Sequence, residues 1–190
     1  EKPSAHGSLV TPELYMEFRH LIQKAMENAK VVIEETASDF SQRFGRDYES
    51  QIQCYKCRDV DVVIVSMGAV SSEAKEAVDR LRKEKLPVGA VKLRVFRPFP
   101  KEAVQELGRR VRAFVVIDRD ISFGMEGALF TEIKSSLYTL DEKPLVLGFI
   151  AGLGGRDIRV RNLTRAARKA LDALRKGVAY PEEEWVAVKE

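Results

Sequence analysis

The sequence has 190 residues, 45% of them hydrophobic, which is enough for one buried core and an appended segment. Its 32 basic and 29 acidic side chains are interspersed and leave a net charge of +3, so composition favours neither a nucleic-acid-binding protein nor a membrane-binding one. No stretch approaches the roughly 20 apolar residues of a transmembrane helix, and the first residues lack a signal-peptide core, so we expect a soluble, cytoplasmic protein.

The first ten residues contain Pro, Ser and Gly without periodicity, which predicts a linker or extended arm over residues 1–10. Because the chain opens on Glu1 instead of Met, we expect that it was cut from a longer protein.

A helical connector is predicted next, over residues 11–56. Thr11 is a typical N-cap, Pro12 suits the first helical position, and apolar residues then recur at three- and four-residue steps until Gly45. Thirty-odd helical residues extend about 50 Å, so part of this apolar stripe should face something outside the remaining domain. The alternative is two helices, broken near residues 36–41, that fold back on the sheet.

Cys54 and Cys57 form a single C-x-x-C pair. Structural zinc and iron-sulfur sites generally need four ligands, and the histidines, His6 and His20, are remote in sequence. The pair precedes a strand instead of opening a helix, so activation by a helix N-terminus, as in thioredoxin, is not indicated. We favour two incidental reduced thiols, with a metal shared between molecules as the alternative.

Residues 57–178 repeat one unit, an apolar run followed by an amphipathic one. The run Asp61–Met67 is almost wholly apolar, as in a strand covered on both faces, and Ser71–Lys83 follows it. Three further units repeat the pattern: Val88–Phe96 with Lys101–Arg110, Ala113–Asp118 with Glu126–Tyr138, and Leu145–Ile150 with Leu163–Lys176. This alternation predicts a three-layer α/β fold around a parallel sheet with right-handed crossovers.

Ligands of such a sheet bind where strands end, so the loops after the strands are the candidate sites. Residues 66–72 lack the G-x-G-x-x-G pattern of dinucleotide-binding proteins, and the stiff, aromatic loop 96–100 is typical of packing at a subunit contact. Asp118 and Asp120 follow the third strand, beside Arg119. With no His, Lys or Cys near them, ion pairing and helix capping are favoured over catalysis.

The fourth loop is rich in glycine. Gly152, Gly154, Gly155 and Arg156 are candidates for a phosphate-binding loop, because glycines let a phosphate approach the backbone. Five basic residues gather here and in the next helix: Arg156, Arg159, Arg161, Arg165 and Arg168. A solvated helix face or a subunit contact is favoured over a phosphate site for this group. The tail, residues 179–190, is predicted either to add an edge strand or to clasp another subunit.

Taken in order, the four loops and their strands resemble the C-terminal half of the alpha subunit of pyruvate:ferredoxin oxidoreductase. The segments that carry the resemblance are 63–70, 93–100, 118–124 and 148–157. Residues 15–19 resemble the segment that joins the two domains of that subunit, and the match covers about residues 11–157. After Asp157 the chain stays basic where the family usually has acidic residues.

The resemblance implies a fold like the C-terminal domain of transketolase, with one antiparallel edge strand. It also implies a multi-subunit enzyme that decarboxylates a 2-oxoacid, forms an acyl-coenzyme A and passes electrons through iron-sulfur clusters to ferredoxin. Thiamine diphosphate and Mg would be bound by the N-terminal domain of the same subunit and the beta subunit, with gamma and delta subunits or equivalent domains as further partners. Pyruvate is the expected substrate and a branched-chain 2-oxoacid the second choice.

The residues agree with an absence of thiamine chemistry in this chain. Thiamine diphosphate sites use a Gly-Asp-Gly stretch followed later by Asn, but this chain has no Gly-Asp-Gly and its only asparagines are Asn28 and Asn162. Its two cysteines are too few to bind the iron-sulfur clusters. No catalytic residue is therefore assigned, and we expect a non-catalytic structural or assembly domain. The alternatives are a module that binds coenzyme A or another nucleotide phosphate at the glycine loop, and a stand-alone redox or metal protein using Cys54 and Cys57.

Overall fold

A computed structural model of the protein describes residues 3, 7, 9–177 and 180–189. Most of the predicted arm, residues 1–10, lies outside the described residues, as does His6.

The first helix, α1, is continuous from Pro12 to Phe44, which is 33 residues. The Thr11 carbonyl accepts hydrogen bonds from the amides of the first turn, and the left-handed Gly45 (φ 63°) ends the helix. The alternative of two helices broken near residues 36–41 is therefore wrong. No residue of α1 is buried, and its half-buried residues all lie at or after Met26, so the N-terminal part of the helix projects from the domain.

The base of α1 is held by polar contacts. Arg94 Nη1 donates to the carbonyls of Tyr48 and Glu49, just beyond the helix, and its guanidinium lies over the Tyr48 ring. Further along, the Lys30 ammonium is 2.9 Å from a Glu102 carboxylate oxygen. These contacts fix the direction in which the helix leaves the domain.

Among the described residues, the rest of the chain forms one six-stranded sheet with helices on both faces. Its elements are β1 (Ile52–Tyr55), β2 (Val62–Met67), α2 (Val70–Lys83), β3 (Val88–Leu93), α3 (Lys101–Gly108), β4 (Ala113–Asp118), α4 (Ala128–Leu137), β5 (Leu145–Ile150), a 3-10 turn (Leu153–Gly155), α5 (Val160–Lys176) and β6 (Glu183–Trp185). The strand order is β1-β3-β2-β4-β5-β6. β1 runs antiparallel to β3, and every other pairing is parallel.

Side chains of the central strands alternate between two cores. Val62 and Ile64 of β2 pack with α2 and α5, whereas Val63 and Val65 pack with α3 and α4. All four are essentially inaccessible to solvent, which explains the unbroken apolar run in the sequence. The predicted three-layer α/β architecture is confirmed. The prediction that every crossover is right-handed is wrong, because α2 and α5 lie on the same face while their connections cross the sheet in opposite directions.

The two edge strands are short, with four residues in β1 and three in β6. β1 lies inside residues 11–56, predicted as a helical connector, of which only Pro12–Phe44 is helical. A four-residue strand with every side chain half-buried carries no clear period, so the sequence does not distinguish it from a loop. β1 is the antiparallel edge that the resemblance implied, and β6 shows that the tail adds an edge strand.

Across the described residues, no helix combines the length and apolar character needed to cross a membrane.

Candidate functional site at the carboxyl edge of the sheet

β2 and β4 are neighbours, but the helices that follow them cover opposite faces of the sheet. The loops after these strands therefore diverge, and a crevice opens between them, where open α/β sheets commonly bind ligands. A shallow depression lies at this point. Its lining comes from the ends of β2 and β4 and from the loop after β5: Met67, Gly68, Ile117, Arg119, Gly152, Gly154 and Gly155.

The glycine loop has the backbone that its sequence requires. Gly152, Gly154 and Gly155 all have positive φ, at 74°, 63° and 82°. A Cβ on Gly152 would lie 2.6 Å from the Ile158 side chain, so a larger residue does not fit there. The structure thus brings three of the four predicted phosphate-loop residues to the depression, and phosphate binding itself stays a prediction.

The cation at this depression is Arg119, not Arg156. Arg156 is absent from the lining, and its Nη1 donates to the carbonyl of Ala187 in the tail, 2.5 Å away. Arg119 is exposed, and its Nε would be 3.2 Å from a Cβ on Gly152. From the sequence, Arg119 was expected only to pair with the neighbouring aspartates. Its place beside the glycine loop follows from the pairing of β4 with β5, which the sequence alone does not reveal.

Asp118 and Asp120 cap α4, in agreement with the capping interpretation. The Asp118 carboxylate accepts from the amides of Leu129 and Phe130 at 3.0 and 2.9 Å, and Asp120 accepts from Ala128 at 3.1 Å. A third carboxylate, that of Glu183 in β6, accepts from the Gly127 amide at 2.8 Å. The orphan amides of this helix start are thus satisfied internally and are not offered to a phosphate.

Burial of the Asp118 side chain, which is fully inaccessible to solvent, raises its pKa to about 6. The two helix amides lower the pKa, but desolvation outweighs them. A Cβ at Gly127 would lie 2.3 Å from Asp118 Oδ2, so the close approach of strand and helix requires glycine. The carboxylate therefore joins β4 to the start of α4 inside the domain.

The hydroxyls after β2 are also internal. Ser66 Oγ and Ser71 Oγ are 3.2 Å apart, and both residues are buried. They hydrogen-bond to each other inside the core, so neither is an accessible nucleophile.

The loop 96–100 packs within this chain. Phe96 and Phe99 meet edge to face with ring centroids 6.0 Å apart, next to the cis Arg97–Pro98 peptide. The Gln51 side-chain amide donates to the Pro98 carbonyl at 3.1 Å. The predicted subunit contact at this loop stays a prediction.

The two cysteines lie on the opposite side of β3 from β2 and are free thiols. Cys57 is buried, and its thiol donates to the Ala90 carbonyl at 3.3 Å. Within the described part of the chain, no cluster of three or more His, Cys, Asp or Glu side chains is arranged to hold a metal ion. The hypothesis of a metal shared between molecules stays a prediction.

The basic residues near α5 have partners on the surface. Arg159 Nε lies 2.9 Å from an Asp157 oxygen, and Arg168 Nη2 lies 2.6 Å from a Glu84 oxygen. The four side chains are 48–71% exposed, which supports a solvated helix face.

Residues 60–163 match the family model of the pyruvate:ferredoxin oxidoreductase core domain II. The chain belongs to this family. Over 189 residues, all of this chain, it is 45% identical to the ketoisovalerate oxidoreductase subunit VorA of Pyrococcus horikoshii and 41% identical to the pyruvate synthase subunit PorA of Pyrococcus abyssi, covering 48% of each protein. This core domain II chain thus spans about half the length of the curated relatives it matches.

A solved structure confirms the expected fold. The core domain II chain superposes on a split-gene transketolase, an inactive beta4 tetramer, with a TM-score of 0.50 and 22% identity, covering 60% of this chain and 40% of that one. The resemblance to 2-oxoacid:ferredoxin oxidoreductase alpha subunits and the transketolase-like architecture are both confirmed.

Proposed function

We propose that this chain is a non-catalytic structural domain of the alpha subunit of a 2-oxoacid:ferredoxin oxidoreductase, and that α1 docks onto the rest of that enzyme. One observation carries the proposal, namely the large apolar side chains that α1 leaves exposed. They are Leu14, Tyr15, Met16, Phe18, Leu21, Ile22, Val31, Val32, Phe40 and Phe44.

The exposure is concentrated in the N-terminal part of the helix. Every residue from 12 to 25 is exposed, and Leu14, Phe18, Leu21 and Ile22 lie on one face of the helix. An amphipathic helix of this kind usually lays its apolar face into a groove of another domain. Soluble monomers rarely expose so large a contiguous apolar surface, so this face supports docking.

The proposed occupant of that face is the N-terminal domain of the same subunit. The relatives are about twice as long as this chain, so a domain of comparable size is joined to the matching region in them. Beta, gamma and delta subunits or equivalent domains would complete the enzyme. In this proposal those parts bind thiamine diphosphate, Mg and the iron-sulfur clusters and carry out the coenzyme A chemistry. Ferredoxin accepts electrons from the assembled complex.

The substrate is proposed only as a 2-oxoacid. A pyruvate synthase subunit and a ketoisovalerate oxidoreductase subunit match at similar identity, which supports comparing pyruvate with ketoisovalerate in the assembled enzyme. In this proposal substrate discrimination resides in the N-terminal domain.

A double substitution on α1 tests the docking. Phe18→Glu with Leu21→Glu puts two charges into the proposed interface, where an unpaired buried charge is strongly unfavourable. In the complete enzyme we expect the two domains of the subunit to separate, seen as faster proteolytic cleavage between them, with impaired assembly and a loss of at least about tenfold in 2-oxoacid- and coenzyme A-dependent ferredoxin reduction.

The matched control is His20→Glu with Gln23→Glu, which adds two carboxylates at the same spacing on the opposite side of the helix. Assembly and turnover should be retained in that variant. If Phe18→Glu with Leu21→Glu assembles and turns over like the parent enzyme, the docking proposal is wrong.

A second candidate function rests on the depression at the carboxyl edge. Three glycines with positive φ beside an exposed arginine, and no carboxylate among the lining residues, favour an anion such as a coenzyme A phosphate. Arg119→Ala should then raise the KM for coenzyme A about tenfold, as expected for the loss of one charge-assisted contact. Arg156→Ala, which removes a cation outside the lining, is the control. An unchanged KM in Arg119→Ala eliminates this candidate and leaves the structural role intact.

A further inference from the structure

The turn that carries Cys54 and Cys57 is tightly built. Arg82 donates to three backbone carbonyls, those of Lys56, Arg58 and Val88, at 3.0, 3.2 and 2.8 Å. The turn also packs directly on β3, because a Cβ at Gly89 would lie 2.8 Å from the Lys56 carbonyl oxygen. The turn between the two cysteines is therefore anchored to α2 and β3.

The two cysteines line the same shallow cleft but differ in exposure. The Cys57 thiol is only 8% exposed and lies against the Ala90 carbonyl. Cys54 is half-buried, and the cleft has four cations in its lining, Lys56, Arg58, Arg82 and Arg110, against one carboxylate, Glu49. A half-accessible thiol beside a buried one, in electropositive surroundings, is the arrangement of a reactive pair.

The electrostatics of the pair are asymmetric. The neighbouring Cys57 side chain lowers the pKa of Cys54, and Arg110 acts in the same direction against burial and Glu49. The Cys54 side chain, together with burial, raises the pKa of Cys57. Cys54 is thus the thiol that ionises first, without any helix N-terminus.

We propose that Cys54 and Cys57 form a reversible dithiol–disulfide site that reacts with organic disulfides, with Cys54 as the attacking thiol and Cys57 as the resolving thiol. This site is independent of the docking role of α1. Within the described residues no third ligand accompanies the pair, so the geometry points to thiol exchange in preference to a metal.

The exchange balances with an organic disulfide as the oxidant. The Cys54 thiolate attacks one sulfur of the disulfide, the S–S bond breaks, and the first thiol leaves with the proton that Cys54 gave up. Cys57 then loses its proton and attacks Cys54 Sγ, and the second thiol leaves with that proton. Two thiols of the protein are oxidised and one disulfide is reduced to two thiols.

Anaerobic equilibration of the full enzyme in mixtures of reduced and oxidised glutathione tests the proposal. After alkylation, cleavage at glutamate leaves both cysteines on one peptide, residues 50–73. We expect this peptide to lose both alkylation sites together as oxidised glutathione increases, and to recover them with dithiothreitol.

Single variants separate the two roles. Cys57→Ser should trap a stable glutathione adduct on Cys54, whereas Cys54→Ser should leave the buried Cys57 unmodified. The proposal is overturned if the peptide keeps both free thiols in fully oxidised glutathione. It is equally overturned if Cys57 alone is modified as fast as Cys54 alone, or if a bound metal protects both thiols under reducing conditions.

Discussion

Asp118 illustrates how one residue can join a strand to a helix. It ends β4, and both of its oxygens accept amides at the start of α4, which holds the helix start on the sheet. The sequence allowed the capping role to be foreseen, because a carboxylate stood a few residues before a helical run. Its complete burial could not be foreseen, since it depends on how closely Gly127 lets the helix approach.

Asp118→Asn should change the pH dependence of stability. The folded-state pKa, about 6, lies above the value near 3.9 of an unfolded aspartate, so the folded state binds the proton more tightly between these pH values. The Asp118 contribution is therefore fully present below about pH 4 and is lost, by about 3 kcal/mol, as pH rises to about 6. In Asp118→Asn this decline should disappear, as measured by denaturant unfolding at pH 4, 5, 6 and 7.

The control for this prediction is Asp157→Asn, which removes a carboxylate whose side chain is 71% exposed. Its unfolding free energy should run parallel to that of the parent protein over the same pH range. A difference between parent and Asp118→Asn that stays constant from pH 4 to 7 would contradict the assigned pKa.

At the scale of elements, β6 belongs to the fold through side chains as well as through its ladder with β5. Glu183 satisfies the Gly127 amide, Lys169 pairs with Glu184, and Lys134 pairs with Glu182. The strand has only three residues, so these contacts to α4 and α5 contribute much of its attachment.

Glu183→Ala should destabilise the protein by about 1 kcal/mol, because it leaves a partly buried helix amide without its acceptor. Glu182→Ala is the matched control on the same edge. Its Lys134 pair is exposed, with 72% of the Glu182 side chain accessible, and such pairs contribute little. Thermal unfolding of both variants measures the difference, and equal shifts would show that β6 does not cap α4.

Strands that are buried on both faces could be predicted from the sequence more accurately than the edge strands. Leu145–Ile150 and Ala113–Asp118 are bounded in the structure as the sequence predicts, because strands covered on both faces are apolar along their whole length. β1 and β6 are short edge strands, and the contact between Glu183 and α4 joins residues 56 positions apart. Neither an edge strand of three or four residues nor such a remote contact leaves a periodic pattern.

The same limit applies to the candidate site. The glycines of the loop after β5 are visible in sequence because only glycine tolerates those backbone angles. Arg119 could not be assigned to that loop, since its position depends on the order of β4 and β5 in the sheet.

The whole molecule divides into a sheet with both faces covered and a helix with none of its residues buried. The sheet accounts for the core, and α1 accounts for most of the exposed large apolar side chains. That division could be predicted, because a helix of about 50 Å is longer than a domain of this size can cover. The direction of the helix could not be predicted, since it depends on Arg94 and Lys30 contacts between distant parts of the chain.

Because contacts with Arg94 and Lys30 hold the C-terminal part of α1, a small rotation there displaces the N-terminal end by a larger distance. Lys30 also holds the helix midway, so the free arm from Lys30 to Pro12 is about 27 Å long, and a rotation of about 10° moves its tip by about 5 Å. Small differences at these contacts would therefore be magnified where the apolar face meets its occupant. We therefore expect Arg94 and Lys30 to affect how precisely the two domains are positioned relative to each other.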